Sequence, residues 1–252
     1  MSVIIPHKEN YQMITDYFQT SLTSINPVLE SQETNLAHVA EQMAKTIAND
    51  GIIYAFGTGH SHMIPMELFG RAGGLANVCA MLDETVLNGG GARRSSKMER
   101  LSGLADIIWE NTPPGPKDMI FIVSNSGRNA AIVEMALKAQ KEGVFCVAIT
   151  SLTQSKANVS LHSSGKKLYE LADVVLDNGA PDGDAQMQYG EYFTGPLSTL
   201  TGVIIVNSLV CEAVRLCQQR NIPVPLFRSQ NTEKQTNNEE LFERFSTRNP
   251  YF

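Results

Sequence analysis

Three short polar clusters stand at the ends of apolar, strand-forming runs, and their residue types suit one task. The first follows "IIYAF" and comprises Gly57, Thr58, Gly59, His60 and Ser61. The second follows "IFIV" and comprises Ser124, Asn125, Ser126, Gly127, Arg128 and Asn129. The third is Thr150 with Ser151, at the end of "VFCVAITS". Glycines let backbone N–H groups come close to an anion, and Ser and Thr hydroxyls add donors without bulk. A loop that opens a helix also gains the helix dipole, which favours negative charge. Taken singly, each cluster also reads as a tight turn, or as a helix cap at Ser126 or Asn129. Three on successive strand ends point to a phosphate site, because the carboxyl edge of an open parallel sheet is where such folds bind ligands.

The same residues exclude two common alternatives. Gly57-x-Gly59 lacks the third glycine of a dinucleotide fingerprint, since His62 stands there, and G-x-x-x-x-G-K occurs nowhere. His60 and His62 lack a third clustered ligand, so neither a metal nor a nucleotide cofactor is expected.

These loops need strands and helices to hold them level. From about Lys8 to Asp50 the pattern is helical, with Tyr11, Ile14, Tyr17, Phe18 and Leu22 at three- and four-residue spacing and a second series from Leu36 to Ile47. Pro27 is expected to break this stretch into a pair, because it disfavours helical geometry at Asn26. Gly51 then closes the second helix. Beyond it, short apolar runs ("IIYAF", "ANVCAML", "DMIFIVS", "VFCVAITS", "ADVVLDN") alternate with helical patterns, including "MIPMELFGRAG", "SKMERLSGLADIIWE" and "NAAIVEMALKAQKEG". That alternation predicts an α/β fold: a three-layer αβα sandwich around a parallel, doubly wound, flavodoxin-like sheet, plus N-terminal helices. "LSTLTGVIIVNSLVCEAVRLCQQR" reads as a long helix packed on the sheet or on a partner subunit. The tail from residue 229 is polar, with a loose middle expected. The chain has no internal repeat or convincing linker, so residues 1–252 are read as one domain with a core of about 36–220.

Composition narrows the partners. Lys and Arg number 20 against 26 Asp and Glu, a net charge of −6. An extended nucleic-acid surface is not expected of such a chain. No segment approaches the length of a membrane span, and "MSVIIPHKENY" lacks the design of a secretory signal. Cys79, Cys146, Cys211 and Cys217 form no C-x-x-C pair and lie in apolar segments, as reduced core residues of a cytoplasmic protein do.

Taken together, Gly57, Gly59 and Ser61, then Ser124, Ser126 and Gly127, then Thr150 and Ser151 resemble the motif set of the SIS (sugar isomerase) domain family of phosphosugar-binding proteins. The likeness runs from about Leu36 to Arg220, is most specific in the middle loop, and is closest to small single-domain members of mostly unassigned activity. Where that family usually has threonine, this chain has Asn129, whose amide still donates to phosphate with different geometry. The resemblance implies a sugar phosphate, its phosphate against Ser124, Ser126, Gly127 and Asn129 and its sugar end near the glycine loop. It also implies a homodimer or higher homo-oligomer with the site near a subunit interface.

Isomerising such a sugar requires a base beside the carbonyl and a group that protonates or opens the ring. Some SIS isomerases carry a catalytic glutamate on the helix after the glycine loop, which here is Glu67; its alternative is a solvated carboxylate paired with Arg71. For the second group the candidates are His60, His62, Glu99, His162 in "HSSGKK", and Glu212 on the long apolar helix. "NGGGARRSS", with Arg93 and Arg94, reads either as a lid or as a mobile surface loop, and "GPLST" as a further helix start at the ligand. The role of Arg228 does not follow from the sequence. The resulting expectation is an aldose–ketose isomerase of a sugar phosphate, amino-sugar phosphates included, working through a glutamate base and an enediol intermediate. A related etherase, lyase or deaminase, and a non-catalytic sugar-phosphate sensor, stand as alternatives.

Overall fold

The computed structural model of the chain describes residues 12–231 and 236–252. Two helices, α1 (Gln12–Glu30) and α2 (Glu33–Ala48), lead into β1 (Ile53–Gly57), α3 (Met63–Leu68) and β2 (Val78–Ala80). Next come α4 (Ala92–Met98), α5 (Leu104–Asn111), β3 (Met119–Val123), α6 (Ala130–Glu142), β4 (Phe145–Thr150) and α7 (Leu152–Ala157). The rest comprises β5 (Val174–Asp177), β6 (Met187–Tyr189), β7 (Tyr192–Thr194), α8 (Ser198–Gln219) and α9 (Asn238–Phe245). Lys8 to Tyr11, the expected opening of the first helix, lie outside the described residues.

Five strands pair in parallel in the order β2-β1-β3-β4-β5, the flavodoxin-like order. Their registers bring the carboxyl ends level: Gly57 sits beside Val123, Val123 beside Ile149, and Thr150 beside Asp177. Every residue of β1 and β3 is buried, because helices cover both faces. Strand side chains alternate between the two layers. Tyr54, Phe56, Ile120, Ile122, Cys146 and Ala148 pack with α5, α6 and α9. Ile53, Ala55, Phe121, Val123, Val147 and Ile149 pack with α2, α3 and α8. Each large apolar side chain so enclosed is worth about 1.5–3 kcal/mol relative to exposure.

Side-chain amides close both sheet edges. Gln32 mimics a neighbouring strand: its Nε2 donates to the Asp177 carbonyl (2.7 Å) and its Oε1 accepts the Asp177 N–H (2.9 Å). At the opposite edge, buried Asn249 donates to the Val78 carbonyl (3.0 Å). Edge groups satisfied in this way are closed to pairing with other chains.

Local expectations needed correction at several points. Pro27 lies inside α1, and the two helices part at Ser31–Gln32. The last turn of α1 survives because Val28 packs on the would-be Cβ position of Gly179, while the Pro27 carbonyl still accepts the Ser31 N–H (3.0 Å). Asp50, with φ 54°, rather than Gly51, makes the left-handed turn after α2. Gly51 is needed for close approach, since a Cβ there would lie 2.2 Å from the Lys117 carbonyl oxygen. "SKMERLSGLADIIWE" divides into α4 and α5 at Gly103, whose φ is 86°. The β6–β7 hairpin has no counterpart in the expected strand set.

In the polar tail, α9 buries Leu241 and Phe245, and Arg244 and Arg248 both reach Asp50. Residues 232–235 lie outside the described residues. By length and mean hydropathy α8 does qualify as a membrane span, contrary to expectation. Its apolar stripe packs in the sheet's helical layer, where Ile64 of α3 fills the space beside Gly202. Cys79, Cys146 and Cys217 are buried, and burial pushes the Cys79 thiol up to about 12. Cys211 is exposed on α8.

Candidate functional site

The sheet order reverses between β1 and β3, and their two exits share one small cavity of about 90 Å³. His60 and Ser61 enter it from the β1 loop, and Asn125 from the β3 loop. Asn178 and Asp184, after β5, and Ser198 with Thr199, at the start of α8, form the rest of its polar lining.

Packing constrains the β1 loop tightly. A Cβ on Gly57 would lie 2.8 Å from the Ser61 carbonyl oxygen, so only glycine allows the chain to fold back here. Gly59, at φ 55°, donates its N–H to the Val86 carbonyl (2.8 Å). Thr58 is buried, and its hydroxyl donates to the Glu99 carboxylate (2.6 Å). His62 is tied through Nδ1 to the Gly59 carbonyl. The His60 ring and the Ser61 hydroxyl make no hydrogen bond to the described residues, which leaves both open to the cavity.

In the β3 loop the two serines differ. Ser124 is buried and its Oγ accepts the Gly127 N–H (3.1 Å), which closes the turn. Gly127 has φ 57°, and a Cβ there would meet Leu168 Cβ at 3.0 Å. Ser126 is partly exposed, and its hydroxyl has no partner among the described residues. Asn129 precedes α6 without a side-chain capping bond, and its buried Oδ1 has no partner. At the start of α6 the Ala131 N–H goes to the Glu99 carbonyl (3.0 Å), and the Val133 N–H begins the helical series on the Asn129 carbonyl. Arg128 points away from the loop, toward Asn158 Oδ1 of the turn after α7 (2.9 Å).

The third expected loop serves as a support. Thr150 and Ser151 are fully buried, and their hydroxyls donate to the Asn125 carbonyl (3.0 Å) and the Ala180 carbonyl (2.6 Å). Both are spent on holding the β3 and β5 exits in position, so neither is free to contact a ligand. Asn178 joins the same network by donating to Asn125 Oδ1 (2.7 Å).

The proposed proton-transfer groups fall in different places. Glu67 is not part of the cavity lining: its carboxylate accepts from Asn207 Nδ2 (2.7 Å) and pairs with Arg71. Asn207 lies nine residues along α8 from Ser198, about 13 Å at helical rise. Glu99 bridges Thr58 to the start of α6. His162 sits beyond α7, with Nδ1 2.8 Å from the Ser164 hydroxyl and Nε2 3.6 Å from Glu134. Glu212 is fourteen residues, about 21 Å, along α8 from Ser198. It pairs with Arg215, whose hydrogen bonds hold its carboxyl below the usual range. The geometry does not bring Glu67, His162 and Glu212 together at the cavity.

"NGGGARRSS" forms a 3-10 turn and α4, anchored by buried Ser95, whose hydroxyl donates to the Val86 carbonyl (2.7 Å). Arg93 and Arg94 lie on the exposed face of that helix. "GPLST" does reach the cavity, through Ser198 and Thr199. Arg228 is held through its backbone, which exchanges hydrogen bonds with the Asn238 side chain. Sequence reasoning missed Asn178 and Asp184. The available signal for Asn178 was its position just after "ADVVLD", one more strand exit; Asp184 gave none, because it reaches the cavity from a loop seven residues past β5.

Comparison with known proteins gives a consistent result. The model of the SIS domain family matches residues 16–151. A UPF0309 protein of Halalkalibacterium halodurans is 40% identical over 221 residues, spanning 87% of this chain and 91% of that protein. Among solved structures, phosphoheptose isomerase GmhA from Neisseria gonorrhoeae has a TM-score of 0.54 at 15% identity, covering 81% of this chain and 98% of its own. A phosphoheptose isomerase from Francisella tularensis has a TM-score of 0.53 at 17% identity, with 81% and 97% covered. At such identities the structural likeness is one of fold.

Proposed function

The chain belongs to the SIS domain family, and from that premise we propose that it binds a sugar phosphate at the β1–β3 switch point and isomerises it. The observation that carries this reading is the cavity lined jointly by His60 and Ser61 from one strand exit and Asn125 from the next. The phosphate rests on the β3–α6 loop, where the Ser126 hydroxyl and the Asn129 amide supply donors and the start of α6 adds its dipole. The sugar extends from there toward His60 and α8.

Isomerisation needs a base that takes a proton from the carbon beside the carbonyl. The resulting electron pair forms the enediol double bond, and the carbonyl oxygen takes up a proton; protonation of the former carbonyl carbon, with loss of the proton of the other enediol hydroxyl to form the new carbonyl, completes the exchange. In this proposal His60 replaces Glu67 as that base. Its ring borders the cavity and has no competing partner among the described residues, and an imidazole nitrogen can accept a proton. Glu67 is one helical turn beyond Ile64 and is engaged by Arg71 and Asn207.

A homodimer formed through α8 is part of the same proposal. The helix presents Val203, Ile204 and Cys211 to an open groove of about 570 Å³, an apolar surface of the kind that partners cover. A cytoplasmic location accords with the four free thiols.

The test is incubation with hexose, pentose and heptose phosphates in deuterated water, followed by mass analysis. Label beside the carbonyl, lost in His60→Ala and retained in Glu67→Gln, is the expected result. Binding without exchange anywhere in the panel would make the protein a sensor. Loss of a water or amine would make it a lyase or deaminase. Exchange abolished in Glu67→Gln and intact in His60→Ala would return the base to Glu67.

A further inference from the structure

The cavity is smaller than the ligand proposed for it requires. At about 90 Å³ it is well short of the roughly 300–1,000 Å³ typical of clefts that enclose a small molecule. A sugar phosphate held at the β3–α6 loop fills it in part and leaves the rest of its surface in water. An enediol intermediate left in that position is open to side reactions, which closed sites prevent. A segment that can close over this cavity has to start at its rim and carry surface suited to a sugar.

The β6–β7 hairpin meets both conditions. It connects two cavity residues, since Asp184 lies three residues before Met187 and Ser198 four after Thr194. Asp184 ties these feet together by accepting the Leu197 and Ser198 N–H groups (2.9 Å each). The base is pinned to α1, where Gln186 Nε2 donates to the Ser21 hydroxyl (2.7 Å) and the Tyr17 hydroxyl to the Pro196 carbonyl (2.8 Å). Beyond that base the hairpin is bare. Every residue of β7 is exposed, Tyr192 at 69% and Phe193 at 66%. A two-stranded hairpin is marginal by itself in water, and covering its large aromatic side chains is favourable. Tyr192 and Phe193 point to opposite faces, so either face brings a ring. Three residues per strand give a reach of about 10 Å, more than the width of such a small cavity. Left-handed backbone at Gly183 (φ 79°) and Gly195 (φ 75°) flanks the hairpin where hinges are usually found.

We propose that the β6–β7 hairpin folds down over the bound ligand, laying Tyr192 or Phe193 against the C–H face of the sugar and shutting water out of the reacting carbons. This rests on the phosphosugar reading above and goes beyond it by naming the residues that contact the sugar from outside the cavity. The phosphate loop holds the anion, and the hairpin responds to what the anion carries. Inorganic phosphate, which brings no sugar, leaves the hairpin open.

Amide hydrogen exchange and titration calorimetry on the full chain test this, with fructose 6-phosphate and inorganic phosphate as probes. Fructose 6-phosphate is expected to slow exchange across residues 187–194 and to protect the Tyr192 and Phe193 bonds from chymotrypsin, and inorganic phosphate to do neither. Tyr192→Ala combined with Phe193→Ala removes two exposed side chains and should leave the melting temperature unchanged. The double variant should bind fructose 6-phosphate about tenfold more weakly, the effect of burying roughly half of one aromatic side chain, and inorganic phosphate as tightly as wild type. Unchanged exchange with fructose 6-phosphate bound, or undiminished affinity in the double variant, overturns the cover and leaves the phosphosugar reading standing. Protection that follows protein concentration rather than ligand also overturns it and assigns the hairpin to a contact between copies. Binding of neither compound overturns both readings.

Discussion

Ser124 and Ser126 are two residues apart in one motif, and replacing each with alanine should produce opposite phenotypes. Ser126 has a hydroxyl with no partner among the described residues, so its loss costs the fold almost nothing. If that hydroxyl donates to a phosphate, its removal costs about 1.5–3 kcal/mol of binding, the range for hydrogen bonds to charged groups. That corresponds to a dissociation constant raised by about 10- to 150-fold. Ser124 is buried, and its oxygen accepts the Gly127 N–H at 3.1 Å. Ser124→Ala strands that buried donor, a penalty of about 1–3 kcal/mol. At about 2–4 °C per kcal/mol for a chain of this size, the midpoint should fall by about 2–12 °C. Thermal melts without ligand, and calorimetry with fructose 6-phosphate, measure the two quantities separately. A Ser126→Ala protein that binds as tightly as wild type, or melts as early as Ser124→Ala, would refute the division of labour.

Three other outcomes are expected. Gly127→Ala should lose about 1–2 kcal/mol from the left-handed backbone alone, with more from crowding against Leu168, and urea midpoints will register it. Asp50 has its carboxyl held below the usual range, first by the Arg244 hydrogen bond and also by Arg248. A depressed folded-state value means that this contribution is present above the ordinary Asp range and is lost as pH falls through the folded value. Amide exchange in α9 should therefore accelerate in acid, and Asp50→Asn should show comparable exchange already at neutral pH; an acid-insensitive α9 would contradict it. If the proposed α8 homodimer forms, Cys211 should react with a thiol reagent in dilute native protein and more slowly as concentration rises, as a second copy covers the groove. Labelling independent of concentration would remove that face from the interface.

The alternation of apolar runs and amphipathic segments was enough to specify a parallel sheet covered on both faces, since fully buried strands carry apolar residues at every position. Turn chemistry was equally legible: Gly57, Gly59 and Gly127 mark where the chain doubles back, because no other residue fits those contacts or angles. Local rules failed where tertiary packing outweighed them. Val28 against Gly179 keeps Pro27 inside a helix, and Leu241 and Phe245 draw a polar tail onto the core.

Which polar groups are free was decided only in three dimensions. Ser124, Ser126, Thr150 and Ser151 look alike in one dimension, yet three of them have hydroxyl oxygens bonded inside the protein and Ser126 does not. Asp184 reaches the cavity from a loop, and Glu67 is drawn to α8 by Asn207. Residue type and spacing fix what a side chain can donate or accept. Whether it is still available depends on neighbours far away in the chain, and folding alone selects those.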